Sequence, residues 1–523
     1  MSGIHSTPEP FGFIQARLSS TRLNGKILEC IPEQSNQTLL DHIYLRLRRI
    51  LPQNRIVFLI PPNESSLERY LTDKGYLFFK GSLENVRDRY IKAAEFFNAK
   101  HIIRLTGDNP FIDITSIELL WEAMFYIKEK NYCLSIQGLP LGMGVECFSY
   151  SALIHNLDKY NEIRHQEHVS LHIKEDLIDN TVYRLIPPHL SDREISKSAN
   201  LRMTIDTELD LRLLRDVWSH LGEENPYFGA KEVISLFERN PGVFLTNSNV
   251  EQIRFNLPSV EKNKKQISLS YGDPILFGSG HFERCKSLSI ELQIAGYDVH
   301  CNPELEHQFD GYIVDAREKE ISGRPLLSID NNNISDPEIK HVKFLLHPEF
   351  LNQKNSELSF YSSPIIELQK SKTSKPGQWL VYLGSLEKSI SDDVDAMLLE
   401  HVKNKWGAMT LIRVGGAKPI TKEILYYPRL TKYEYYEILG ESEGFLSYFG
   451  QSIMEALYLR KRTVLFGMSE IHKKLGQFLA SEYNLVYIGE PGRFGIPSMI
   501  PTMSTQDISR NAQNQILEWL KTI

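Results

Sequence analysis

The chain has 523 residues, 41% hydrophobic and 24% charged, too long for one core and too apolar for a disordered polypeptide, so two or three packed domains are expected. Its 59 basic and 66 acidic residues leave a net charge of -7, which argues against a partner nucleic acid but leaves room for a local anion pocket. Cys30, Cys133, Cys147, Cys285 and Cys301 lack CxxC spacing and read as reduced thiols of a cytoplasmic protein. The opening MSGIHSTPEP carries no signal-peptide pattern, and no stretch reaches the ~20 apolar residues of a membrane span.

In chain order, Phe11–Ala16 reads as a strand and Thr38–Leu51 as a helix, with Leu39, Leu40, Ile43, Leu47, Ile50 and Leu51 on one face. Arg55–Ile60 and Tyr76–Phe79 read as strands, Ser82–Asn98 as a helix and His101–Leu105 as a strand, the alternation of a mainly parallel α/β sheet. The polar, proline-bearing NLPSVEKNKKQ at 256–266 marks a boundary. A first domain is therefore expected over 1–255 and a linker over 256–267. Strands are then expected at Pro274–Phe277, Tyr312–Val314, Leu326–Ile329 and Val342–Leu346. A weaker seam at Gln369–Gly377 precedes strands at Trp379–Leu383, Thr410–Val414 and Thr463–Phe466. Two α/β lobes, 268–375 and 376–523, would face each other across a cleft.

Three segments of the first domain carry chemistry. IQARLSSTRLNGK at 14–26 places Arg17, Arg22 and Lys26 around Ser19, Ser20 and Thr21 after a strand, cations and hydroxyls suited to a polyphosphate. It lacks Walker A spacing, and a solvated basic turn would look the same. RLTGDNPFID at 104–113 puts Asp108 just beyond a strand, and LRMTIDTELD at 201–210 puts Asp206 just beyond a β-prone run. Two carboxylates from separate strand ends suit Mg²⁺, although either alone reads equally as a cap or turn residue.

With GSLENVRDRY at 81–90, PLGMGVECFS at 140–149 and QEHVSLHI at 166–173, these segments resemble the cytidylyltransferases related to CMP-sialic acid and CMP-KDO synthetases, most closely the spore-coat polysaccharide branch. The resemblance implies a Rossmann-like nucleotidyltransferase domain that joins CMP from CTP to a sugar acid and releases pyrophosphate. It also implies triphosphate contacts from Arg17 and Lys26, and metal ligation by Asp108 and Asp206. Gln15, Ala16, Ser19, Arg22, Arg104 and Thr106 would complete the nucleotide site. Gly144 stands where related sequences often carry an acidic residue, a departure that bears on the acceptor. His165, His168 and His172 would share one face of a continuous helix, but without HExxH order they read as a structural or substrate-side polar cluster rather than a zinc site.

In the second half, GSGHFERC at 278–285 reads as a glycine turn opening a helix, with His281 near its N-terminus. FGQSIME at 449–455 would offer the Gly450, Gln451 and Ser452 amides to a diphosphate and Glu455 to a ribose, or else place Glu455 on a solvent face. Together with GYIVDA at 311–316, SIDNN at 328–332 and YLGS at 382–385, they resemble the UDP-sugar hydrolases of pseudaminic acid biosynthesis. That resemblance implies a two-lobed glycosyltransferase-B-like module binding a UDP-sugar, with His281 activating water. The family's Arg-x-Asp stretch is replaced by Ser270–Pro274, so transfer of a sugar, or binding alone, stays open. So does the oligomeric state, a homodimer included.

Overall fold

Ile56–Ile60 is apolar at every position and wholly buried, the pattern of a strand covered on both faces. It lies within the first of three sheets in a computed structural model that describes residues 7–19, 22–247, 264–274, 279–303, 308–315, 323–330, 338–342, 344, 359–483, 485–498, 502 and 508–523. The chain forms two compact units, Met1–Lys264 with Gln293–Ala295, and Lys265–Leu292 with Gly296–Ile523.

The first unit is built on β1 (Phe11–Gln15), β2 (Ile56–Ile60), β3 (Leu77–Lys80), β4 (His101–Thr106), β5 (Tyr132–Ile136), β6 (Glu146–Ser149) and β7 (Thr181–Leu185). They lie in the order β3-β2-β1-β4-β6-β5-β7, all parallel except β6, which runs antiparallel to β4 and β5. The helix Leu39–Arg48 starts at Thr38, whose side chain and that of Asp41 form a reciprocal capping box. One core gathers Phe13, Val57, Tyr90, Ile102 and Phe148. A second gathers Phe111, Met203, Ile205, Leu214, Trp218 and Phe228, carried largely by the helices Glu208–Leu221 and Ala230–Arg239. This second core anchors both segments that bear the candidate metal-binding aspartates.

The second unit holds two separate, wholly parallel sheets. One contains β8 (Gln266–Tyr271), β9 (Asp298–Cys301), β10 (Gly311–Asp315), β11 (Leu326–Ile329) and β12 (Lys340–Val342), in the order β12-β11-β10-β8-β9. The other contains β13 (Lys375–Gly384), β14 (Thr410–Gly415), β15 (Ile424–Tyr427), β16 (Ser442–Tyr448), β17 (Arg462–Phe466) and β18 (Val486–Tyr487), in the order β15-β14-β13-β16-β17-β18. Both orders reverse at one place, between β10 and β8 and between β13 and β16, where open parallel sheets bind ligands beyond their strand ends.

Several expectations are corrected. The strand expected from Pro274 is instead Gln266–Tyr271, whose Ile267, Leu269 and Tyr271 enter the core. Pro274 is helical, and Ile275–Phe277 lie outside the described residues. The strand expected at Val342–Leu346 ends at Val342; Phe344 is buried beyond it, and residues 343, 345 and 346 are outside the described residues. The final helix, Asn514–Leu520, was expected in the second lobe, but its Ile516 and Leu520 pack with Ile267, Leu288 and Val299 in the core of the first. Among the described residues, no helix is long and apolar enough to cross a membrane.

Candidate active site

β1 ends at Gln15, and its neighbour β4 ends at Thr106, so the residues that follow both strands emerge on one edge of the sheet. Gly107 N–H donates to Gln15 O at 2.9 Å, and a Cβ at Gly107 would stand 3.2 Å from that oxygen and 3.3 Å from side chains of Ile27 and Leu40. The close approach keeps the Asp108 turn against the turn that follows β1. That turn is held from the other side by Glu64, whose two carboxylate oxygens accept the Leu18 N–H at 3.0 and 3.1 Å. Gly25, at φ 73°, takes the left-handed conformation and donates its N–H to Leu18 O at 3.0 Å. It opens the 3-10 turn Lys26–Leu28 and aims Lys26 inward.

The Lys26 ammonium lies 3.2 Å from Asp108 Oδ2 and 3.3 Å from Asp206 Oδ1, and donates to the Ile205 carbonyl. Lys26 is only 8% exposed. The two aspartate segments are also stitched through the backbone, Ile205 N–H donating to Asp108 O at 3.0 Å. Arg22 reaches Asp206 Oδ1 at 3.1 Å, while Arg202 Nη2 bonds Asp206 Oδ2 at 2.5 Å. Burial pushes the Asp206 carboxyl up, but Lys26, Arg202 and Arg22 together hold it below its ordinary value.

Asp206 does not lie at a strand end, as the sequence suggests. It sits in the bend before the helix Glu208–Leu221, where Thr207 caps the helix and its own N–H donates to Asp210 Oδ2 at 2.9 Å. Asp210 Oδ1 accepts from Arg202 Nε at 3.0 Å and from Asn247 Nδ2 at 2.9 Å. The aspartate is thus backed by a buried chain of Arg202, Asp210 and Asn247.

Arg104, on β4, bonds Gln15 Oε1 at 3.3 Å and Glu146 Oε2 at 3.4 Å. Glu146 also accepts from Lys174 and, at 2.5 Å, from Ser170 Oγ. Burial raises its carboxyl, but Lys174 and Arg104 outweigh that and bring it down to about 2. Arg17 and Ser19 are exposed, Ala16 is buried and Thr106 is half-buried, while Ser20 and Thr21 lie outside the described residues. Arg22 and Lys26 thus meet two carboxylates and a backbone carbonyl at one place; cations of this kind suit phosphate oxygens, and oxygen ligands of this kind suit a hard divalent ion.

Residues 11–234 match the cytidylyltransferase family. An uncharacterized protein of Methanocaldococcus jannaschii is 30% identical over 244 residues, 46% of this chain and 95% of its own length. A spore coat polysaccharide biosynthesis protein of Bacillus subtilis is 34% identical over 236 residues, 44% of this chain and 93% of its own. The chain belongs to the cytidylyltransferase family. The solved structure of a cytidylyltransferase from Leptospira borgpetersenii is 26% identical, covers 47% of this chain and 100% of its own, and superposes with a TM-score of 0.40.

In this cytidylyltransferase the three histidines do not share a helical face. They fall on and between two short helices, Ile163–Glu167 and Leu171–Glu175, with His168 capping the first. His165 Nε2 bonds Glu175 at 2.8 Å, and His172 Nε2 faces the Leu153 carbonyl at 3.0 Å. Burial holds His172 down at about 4, so it is a neutral packing group at physiological pH.

The second unit of the cytidylyltransferase carries its own polar cluster. His281 is the second residue of the helix Gly280–Ile294, and its Nδ1 lies 2.7 Å from Asp315 Oδ1 at the end of β10. Arg284 grips Asp315 through two nitrogens and reaches Asp330 Oδ2 at 3.1 Å. Asp315 is fully buried; burial raises its carboxyl, but Arg284 and His281 keep it well below the carboxylate range. Across the same unit, Ser279 Oγ and Tyr382 OH are 3.3 Å apart.

Gly450 precedes the helix Gln451–Tyr458 and has open space where a Cβ would stand. Gln451 and Ser452 are half-buried. Glu455 is not on a solvent face: at 5% exposure it accepts from Tyr436 OH at 2.9 Å and from Gln451 Nε2 at 3.0 Å. Burial lifts its carboxyl to about 7 against the lowering effect of Gln451, Tyr436 and Lys432.

Sequence reasoning missed Glu64, Glu146, Lys174, Arg202, Asp210 and Asn247. Arg202 and Asp210 lie inside the LRMTIDTELD segment, but only the fold shows that they hold Asp206.

Proposed function

We propose that the first unit transfers CMP from CTP to a sugar acid with release of pyrophosphate, using Mg²⁺ held by Asp108 and Asp206. The observation that carries this reading is the meeting of Lys26, Asp108 and Asp206 at 3.2 and 3.3 Å beneath the Arg17–Arg22 turn. Family membership and the named role of the Bacillus subtilis relative in spore coat polysaccharide biosynthesis support it. Arg17, Arg22 and Lys26 bind the triphosphate, with Gln15, Ala16, Ser19, Arg104 and Thr106 lining the nucleotide's path. The acceptor oxygen attacks the α-phosphorus in line, and the basic turn stabilises charge growing on the departing pyrophosphate. Mg²⁺ supplies charge neutralisation at the phosphates. We place this chemistry in the cytoplasm, in the building of a surface glycan.

The test is pyrophosphate release from each of the four NTPs against a panel of sugar acids and sugar phosphates. Release confined to CTP with a sugar acid is expected. Preference for another nucleotide, or for a sugar phosphate, would discard this assignment.

A second reading concerns the other unit, and the His281–Asp315 contact favours it. We propose that this unit binds a UDP-sugar, with the Gly450, Gln451 and Ser452 amides at the diphosphate and Glu455 at the ribose, and hydrolyses it. Asp315 fixes Nδ1 of His281, leaving Nε2 as the base that takes a proton from water. Product analysis with a UDP-sugar decides: free sugar supports hydrolysis, a glycosylated acceptor indicates transfer, and binding without turnover leaves a scaffold.

A further inference from the structure

Lys26 stands where a cation between Asp108 and Asp206 would stand. Its ammonium is within 3.3 Å of one oxygen from each carboxylate, Asp108 Oδ2 and Asp206 Oδ1, and donates to the Ile205 carbonyl between them. The remaining Asp206 oxygen, Oδ2, is taken by Arg202, itself anchored by Asp210 and Asn247. The two cations are equally buried, with side chains 10% exposed, but differ in what holds them. Arg202 is locked from behind by a fully buried carboxylate, whereas Lys26 is a long, unbranched side chain on the polyphosphate-facing turn, and the other group on Asp206 Oδ1, Arg22, has a side chain 57% exposed.

We infer that Lys26 is a built-in counter-cation that holds the metal position in the nucleotide-free protein. Asp108 Oδ2 and Asp206 Oδ1 are the ligating atoms, and they become available only when a triphosphate draws Lys26 and Arg22 onto its own oxygens. The inference rests on the proposed nucleotide and metal site and adds an order of assembly to it. Without Lys26, two carboxylates that now share one ammonium would repel and would recruit a divalent ion from solution. With it, the pair is neutralised in advance and divalent ions are refused until a nucleotide arrives. Arg202 keeps Asp206 Oδ2 in both states, so Oδ1 stays aimed at the site throughout.

Mn²⁺ binding to the full chain, followed by electron paramagnetic resonance and calorimetry, tests this without reference to turnover. Wild type should bind Mn²⁺ at this site only with CTP present. Lys26→Met and Lys26→Gln should bind it without nucleotide, at least about tenfold more tightly than wild type, a size usual for coupled binding. Lys26→Arg, which keeps a cation there, should still refuse Mn²⁺ in the absence of nucleotide, and Asp206→Asn in the Lys26→Met background should abolish the nucleotide-free binding. Circular dichroism identifies any variant that fails to fold, and the remaining charge-removing variant then decides. Equal nucleotide-free affinity in wild type and a folded charge-removing variant, with CTP-dependent Mn²⁺ binding intact in wild type, overturns the counter-cation role alone. Absence of Mn²⁺ binding by wild type even with CTP overturns the underlying metal-site reading, and the inference with it.

Discussion

Asp206 has Oδ2 on Arg202 and Oδ1 on Lys26 and Arg22, and on the proposed reading that division sets what its loss should do. Asp206→Asn keeps the shape but removes the charge facing Lys26, and Asp108→Asn does the same from the other side. Each should lower the rate of pyrophosphate release by at least about a hundredfold, the scale of one lost electrostatic contact to a transition state. A folded variant with near wild-type turnover would remove that residue from the proposed metal site. Glu455 allows a second test, through pH. Its carboxyl is raised from 4.5 to about 7 by burial, so the folded state prefers it protonated. That preference stabilises the fold fully below the unfolded value and is lost as pH rises through about 7. The contribution at stake is at most about 3 kcal/mol. Urea midpoints measured below and above neutrality should therefore fall more steeply with pH in wild type than in Glu455→Gln, and parallel curves would show that Glu455 ionises without cost.

At the scale of elements, the site depends on a contact that local sequence does not display. Leu141 pairs with Arg202 in an isolated bridge, and Met203 N–H donates to Leu141 O at 2.6 Å, so the 140–144 turn carries the chain toward Asp206. Gly142 sits at φ 89°, where a Cβ would come within 2.8 Å of the backbone at Met203 and Thr204. Gly142→Ala should cost about 1–3 kcal/mol from the backbone conformation alone. It should also depress nucleotidyl transfer by shifting Asp206; a fully active, equally stable variant would show that the turn does not position the aspartate. Elements with a strong local signal were legible beforehand: IVFLI as a buried strand, and the Thr38-led helix by its apolar spacing. β16 escaped because Ser442 follows directly on the helix Lys432–Glu441, with no Gly or Pro between them. Tyr312–Val314 and Leu326–Ile329 are legible as strands, but not what their ends share: Asp315 and Asp330 both meet Arg284. Asn247 offered no signal at all, because its partner Asp210 lies 37 residues away in sequence.

For the whole molecule, the division at Lys264 separates two units with their own cores, so each should survive without the other. A fragment from Lys264 to Ile523 should fold and, on the proposed reading, bind UDP or a UDP-sugar. Its first lobe needs the end of the chain: Ile516 and Leu520 are fully buried against Ile267, Leu288 and Val299, and Trp519 and Ile523 lie against Gly311 on β10. Removing residues 514–523 strips these side chains from a small core, at a cost of several buried aliphatic groups, each about 1.5–3 kcal/mol. That loss is comparable with the roughly 5–15 kcal/mol margin of an ordinary domain, so the truncated fragment should lose the β8–β12 lobe while the β13–β18 core persists. Hydrogen exchange resolves the two sheets: rapid exchange at Ile267–Tyr271 and Gly311–Asp315, with protection retained at Trp379–Leu383, is the expected pattern. Because Asp315 orients His281 from the end of β10, the same truncation should abolish any hydrolysis while leaving Glu455 buried beside Tyr436. Unchanged protection across both sheets would mean that the last helix is an accessory to the first lobe rather than part of its core.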